Sequence, residues 1–229
     1  MTDHTADDRA SLNRARRAGL TDRQARISLD LTRATPHHLA PGQHQKNLVL
    51  AYWQARTDAD TYYAQVRAFA DAHGLTSRTR PGTVKDANRS VEKMKNAPDR
   101  VPVDLLAATL TATSVDQMYD AAVLVPNAFH VVGFRDRMIE RANSGYGDLQ
   151  FTVDLGAHLA ELKIVHAQFD HIDRYEHRVY EISRGILAAA SDELDVPEEI
   201  VVLALNAASR QMYTEIWQAI LDAENGGPQ

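Results

Sequence analysis

Apolar positions recur at helical spacing in several stretches of the chain and alternate in others. In residues 21 to 34, Ile27, Leu31 and Ala34 follow a Thr21 or Asp22 cap, which predicts a short helix, broken by the run from Pro36 to Gly42. A second helix, about 46 to 73, carries Leu48, Tyr52, Trp53, Tyr63, Val66 and Phe69 and stops at Gly74; its aromatic stripe reads as core packing before a base-stacking platform. After Pro81-Gly82 a basic helix is predicted from about 84 to 96, ending near Pro98. The texture then changes. Residues 105–113, 129–134, 149–155 and 158–165 are rich in β-branched side chains and predict strands, the last two forming a hairpin about Gly156-Ala157. Between the first two strands, SVDQMYDAAVLV has a helix start and helical spacing, giving β-α-β. Two helices, about 173–190 and 197–223, close the chain. The expected class is α+β: a mixed sheet of four to five strands flanked by helices, with a helical arm over 1–45 and one domain over 46–229.

Composition narrows the chemistry. The 229 residues include no cysteine, which removes disulfide scaffolds, thiolate metal sites and cysteine nucleophiles. The first twenty residues lack the apolar core of a signal peptide, and no apolar run is long enough for a bilayer, so a cytoplasmic protein with no membrane contact is expected. A net charge of −6 argues against coating a duplex, so no DNA partner is expected, but the charge is uneven. Arg78, Arg80, Lys85, Arg89, Lys93, Lys95 and Arg100 form a basic island against Asp86, Glu92 and Asp99, while the chain from Ile186 onward is acidic.

The Gly-rich phosphate loops and the common hydrolase motifs are absent, so any nucleotide must be held by side chains. On one helix, Lys85, Arg89 and Lys93 at i, i+4 and i+8 would point together at a triphosphate, with Arg78 and Arg80 just before; the competing reading is a solvated helix face. Asp104 stands at the entry of the first strand. In HLAELKIV, Glu161 shares a strand face with Leu159, Lys163 and Val165, and a packed carboxylate there needs a cation or a metal. Two such carboxylates can hold Mg²⁺ against phosphates. Tyr146, after a Gly turn in Ser144-Gly145-Tyr146-Gly147-Asp148, is placed to stack on a base. His166, His171 and His177 invite zinc, but their spacing does not align on one helix face.

Taken in order, these motifs resemble the RelA/SpoT synthetase family over roughly residues 60 to 185. The basic helix is similar to Val84-Lys85 through Glu92-Lys93-Met94-Lys95, and the D-L-x-x-A-T strand to Asp104-Leu105-Leu106-Ala107-Ala108-Thr109. Val132 to Arg137 resembles the V-x-x-x-D-R run, Ser144 to Asp148 the S-G-Y-R-D turn, Ala160 to Ile164 the A-E-L-Q-I strand, and His177-Arg178-Val179-Tyr180-Glu181 the H-x-x-Y-E motif. The resemblance implies a nucleotidyltransferase-like synthetase fold that transfers pyrophosphate from ATP to a ribose 3′-OH. It implies an ATP site of Arg80, Lys85, Arg89 and Lys93, Mg²⁺ on Asp104 and Glu161, Glu161 as ligand or base, and Tyr146 on the acceptor base, with Arg135, Arg137 and His177 in support. Where the family shows R-x-K before the helix and G-Y-R at the turn, this chain has Thr83-Val84-Lys85 and Gly147, which weakens GDP or GTP as acceptor. The single synthetase domain resembles the toxic members of toxin-antitoxin and phage-defence loci, which implies the 3′-terminal adenosine of tRNA as acceptor and an antitoxin protein as partner. A (p)ppGpp- or ppApp-forming synthetase using a free nucleotide, and a catalytically degenerate binding module, are the alternatives.

Overall fold

The computed structural model describes residues 4–36, 41–80, 84–95, 100–189, 195–224 and 226. Three helices lead the chain: α1 (His4–Arg17), α2 (Asp22–Ala34) and α3 (Leu48–Ala72). A strand β1 (Thr76–Thr79), helix α4 (Ala87–Lys95) and a 3-10 turn (Val103–Leu105) follow. Then come β2 (Ala107–Ala112), α5 (Val115–Ala128), β3 (Val131–Asp136), β4 (Leu149–Asp154), β5 (Leu159–His166), α6 (Ala167–Ala189) and α7 (Val196–Glu224). The strands form one sheet in the order β1-β2-β5-β4-β3. Pairing is parallel between β2 and β5 and antiparallel elsewhere, so the sheet is mixed and the class is α+β. The β2-α5-β3 crossover carries β3 to the far edge, and β4 and β5 make the expected hairpin.

Local signals explain most of these elements. Thr21 accepts from the Gln24 N–H while the Gln24 side chain accepts from Thr21 N–H, a full capping box for α2. Side-chain oxygens of Ser114 and Asn47 accept first-turn N–H groups at the starts of α5 and α3. Three elements differ in detail from the sequence reading. α1 is a helix of mostly polar residues that docks through Ala15, and its turn into α2 is locked by Gly19. Gly19 takes φ +91°, and a β-carbon there would fall 2.4 Å from Leu221 of α7. Ala15, Leu20, Ala25 and Leu31 are buried in the same core as α3. β1 is only Thr-Ser-Arg-Thr, an edge strand without apolar alternation. α6 also starts earlier than expected, directly after β5.

The sheet separates two environments. Ala108, Leu110, Phe134, Leu149, Phe151, Leu162 and Ile164 are buried on one face, with Phe134 and Phe151 rings 4.9 Å apart. The stripe of α3 supplies Tyr62, Tyr63, Val66 and Phe69 to the core, but Trp53 is 66% exposed and lies outside it, correcting the expectation that the aromatics pack together. The alternate positions Thr109, Gln150, Thr152, Glu161 and Lys163 occupy the other face, because cross-strand partners share a side. A polar sheet face inside a folded chain is a natural ligand surface.

One polar knot fastens the strand end beneath that face. Gln43 donates through Nε2 to Leu159 O at 2.6 Å and accepts Leu159 N–H at 2.9 Å, acting as a substitute strand partner. Its Nε2 also lies 3.1 Å from His158 Nε2, and His158 is fully buried. Burial, with His44 nearby, pulls the His158 imidazole from 6.5 down to about 4. The unfolded chain therefore takes up this proton first. Stability is full above pH 6.5 and falls as the pH drops toward 4, by about 3 kcal/mol. Urea unfolding across pH 7 to 4 measures this, and His158→Gln is expected to remove most of that slope.

Candidate active site

Asp104 gathers the cations expected to hold phosphates. It sits in the 3-10 turn before β2, with Lys85 Nζ 2.6 Å and Lys93 Nζ 3.1 Å from its two oxygens. Arg80 Nη2 lies 3.4 Å from the Asp104 carbonyl oxygen and 4.0 Å from its carboxylate. Burial would raise the Asp104 carboxyl, but Lys93 and Lys85 overcome it and hold the group at about 2. Lys85 is itself shifted down by burial.

The backbone shows why these residues converge. Lys85 precedes α4, and its N–H is fixed to Leu105 O at 2.9 Å, so Lys85 and Lys93 reach Asp104 from different geometries rather than from one helical stripe. Arg89 departs from the expected stripe. It pairs with Glu181 of α6, whose carboxylate also lies 3.2 Å from His177 Nε2. Glu92 and Arg184 make a second bridge between α4 and α6 at 2.7 Å.

Glu161 is anchored from its backbone outward. Its N–H donates to Leu106 O at 2.9 Å, and the buried Tyr62 hydroxyl donates to its carbonyl at 2.7 Å. Its carboxylate accepts from the Gln150 amide of β4 and lies 3.1 Å from Lys163 Nζ. Burial alone would lower Lys163, but Glu161 outweighs it and keeps the ammonium charged. A carboxylate held by one amide and one ammonium is fixed in place, as a base or a metal ligand must be.

Tyr146 completes the cleft. Gly145, at φ +88° against Arg210 and Tyr213, makes the turn that lifts it. The Arg137 guanidinium is 5.4 Å from the centroid of the Tyr146 ring, and Tyr213 meets the ring edge-on at 5.7 Å. Arg137 is fixed in turn by a two-pronged pair with Asp148, at 2.6 and 2.5 Å, and Asp148 is fully buried. Burial, with Asp148 and Asp173 nearby, keeps the Tyr146 hydroxyl neutral at any ordinary pH.

A cavity of about 200 Å³ joins Tyr146, Glu161, Arg80, Arg78, Lys163 and Asp173. Asp104 adjoins it through Arg80. Lys163 was legible as the neighbour of Glu161 on one strand face, but Asp173 comes from α6, and no sequence signal tied it to the cleft. Arg78 pairs with Asp170 at the cavity wall. Arg135 is the outlier: it is exposed on the edge strand and lines a separate cavity against α1 and α2. No group of three or more His, Asp or Glu residues suited to a metal occurs among the described residues, His166, His171 and His177 included. Nor is any helix among them long and apolar enough to cross a membrane.

This fold is similar to that of solved small alarmone synthetases. The structure of small alarmone synthetase 2 from Bacillus subtilis aligns over 77% of this chain and 96% of its own, at 17% identity and a TM-score of 0.50. Small alarmone synthetase 1 from the same organism, bound to its product pppGpp, aligns over 76% and 93%, at 15% identity and 0.53. The type VI effector Tas1, solved in complex with its immunity protein, aligns over 79% and 100%, at 17% identity and 0.52. No protein-family model and no curated protein sequence matches the chain.

Proposed function

We propose that the protein is an ATP-dependent pyrophosphokinase that transfers the terminal pyrophosphate of ATP to a ribose 3′-OH. The observation that carries this reading is the union, in one cleft, of a cation-bound carboxylate (Asp104), a strand carboxylate paired with Lys163 (Glu161) and a turn-borne aromatic ring (Tyr146). Arg80, Lys85 and Lys93 receive the triphosphate, with Arg89 at the outer end of α4. Tyr146 offers a ring for the acceptor base. Glu161 takes the proton of the 3′-OH as its oxygen attacks the β-phosphorus of ATP, and AMP leaves with the electron pair of the cleaved bond. Phosphoryl transfer of this kind needs positioning and charge neutralisation more than covalent help from the protein. Asp104 and Glu161 are hard oxygen donors of the kind Mg²⁺ takes, one or two at a time beside phosphates, so the donor set fits. When bound, Mg²⁺ would neutralise charge on the transferring phosphates.

For the acceptor, the reading taken from the family resemblance is the 3′-terminal adenosine of tRNA, with the protein acting as a growth-inhibiting toxin restrained by an antitoxin. The likeness to an effector solved with an immunity protein supports the toxin and its partner. A free purine nucleotide is the second reading, and one observation favours it. Arg78, Lys85, Arg89 and Lys93 already have carboxylate partners, which suits a compact polyphosphate better than an extended RNA backbone. Incubation with γ-³²P-ATP and Mg²⁺, offering GDP, GTP, AMP, ATP and bulk tRNA, separates these outcomes. Label on tRNA supports the first reading, and label on a nucleotide supports the second. Label on neither overturns the pyrophosphokinase.

A further inference from the structure

A second cavity, of about 320 Å³, lies where α3 passes the start of β3 and the end of β4. That volume is within the range of small-molecule sites, about 300–1,000 Å³. It shares no lining residue with the cleft of Tyr146 and Glu161. Tyr62, Phe129 and Val153 give it an aromatic and apolar wall, and Asp58 and Asp154 bring carboxylates to it. No lysine or arginine lines it among the described residues.

The hydrogen donors around this cavity are already spent. The Tyr62 hydroxyl donates to Glu161 O at 2.7 Å, and the Gln65 amide nitrogen donates to Ala128 O. Asp154 Oδ1 accepts the Gly156 N–H at 2.7 Å and lies 3.2 Å from His44 Nε2. The acceptors on α3 are not matched in this way. Asp58 Oδ2 is buried without a hydrogen-bond partner among the described residues, and so is Gln54 Oε1, one turn earlier on the same helix face. With nothing to offset it, burial pushes the Asp58 carboxyl up.

Buried acceptors in native proteins have partners, so this lining calls for a donor. A water molecule supplies a hydrogen but leaves the carboxylate charge unmatched, and it gains nothing from the aromatic wall. An anion is refused by Asp58 and Asp154. A cationic nitrogen on an apolar shaft meets all three features at once. We propose that this cavity binds a small aliphatic amine, with its ammonium group hydrogen-bonded to Asp58 and its methylene shaft against Tyr62, Phe129 and Val153.

Titration calorimetry of the full chain with putrescine, in about 0.15 M salt to screen surface charge, tests this. One saturable site per chain is expected, with a dissociation constant below about 1 mM. 1,4-Butanediol, of equal length and no charge, is expected not to bind. Asp58→Asn keeps the shape of the side chain and is expected to weaken putrescine about tenfold or more, the scale of a charge-assisted hydrogen bond. Asp60→Asn, at an exposed position of the same helix, is expected to bind as wild type does. Weaker or no binding by the wild type overturns the proposal, as does equal binding of the diol or undiminished binding by Asp58→Asn. If Asp58→Asn fails to fold, Thr61 supplies a second route, because it is exposed on α3 and lines the cavity. Thr61→Lys tethers an ammonium there and is expected to raise the thermal midpoint and abolish putrescine binding; a variant that still binds putrescine overturns the proposal. Binding is the readout throughout, so the result is independent of whether the protein transfers pyrophosphate.

Discussion

Glu161→Gln will lower the rate of pyrophosphate transfer by about 10²–10⁴-fold, the range expected when a positioned general base is removed. The substitution keeps the shape of the side chain and its place against the Gln150 amide, and the backbone anchors to Leu106 and Tyr62 are untouched. What it removes is the carboxylate proposed to accept the 3′-OH proton, which also pairs with Lys163. Loss of label transfer with ATP binding and the thermal transition retained is therefore the expected pattern, read by the labelled-ATP assay beside a nucleotide-binding titration. Activity within tenfold of wild type would sink the base role of Glu161.

The second large effect is on stability. Asp148→Asn is expected to cost about 3–5 kcal/mol, because it strips the partner from a largely buried guanidinium. Asp148 has no exposed surface, and both of its oxygens serve Arg137. Replacing both residues, Arg137→Met with Asp148→Leu, should restore most of that loss, since an apolar pair leaves no buried charge unmatched. The double variant should still bind acceptor poorly, because Arg137 is the cation packed against the Tyr146 ring. Chemical denaturation of the three variants gives the stability comparison. Acceptor KM then separates a positioning role from a merely structural one.

The elements easiest to read from the sequence were those with both periodicity and a stop. α2, α3 and α5 have capping side chains at their starts, and β4 and β5 alternate about a tight turn. β1 was invisible because four polar residues at a sheet edge carry no alternation; its place comes from pairing with β2, over thirty residues away. α1 was foreseen only as part of a helical arm over 1–45, without bounds of its own, because its apolar docking face is little more than Leu12 and Ala15. In the cleft, residue types that announce chemistry inside an apolar run could be found, Glu161 and Asp104 above all. Contacts between distant segments could not. Nothing near Arg89 signals that it will meet Glu181, and helical spacing alone placed it with Lys85 and Lys93. Asp173 reaches the cavity only because α6 leaves β5 without a loop.

The Asp104 carboxylate, already held by two lysines, stands in the cleft as a tethered stand-in for the anion to come. A phosphate bound as proposed would not fall into an empty positive hole; it would have to take Lys85 and Lys93 away from a partner that never diffuses off. A single phosphate group can replace one of these contacts and leave the other in place. A chain of phosphates can replace both at once. On the proposed reading, the protein's own acid would work as a gauge of ligand charge, favouring polyphosphates over monophosphates.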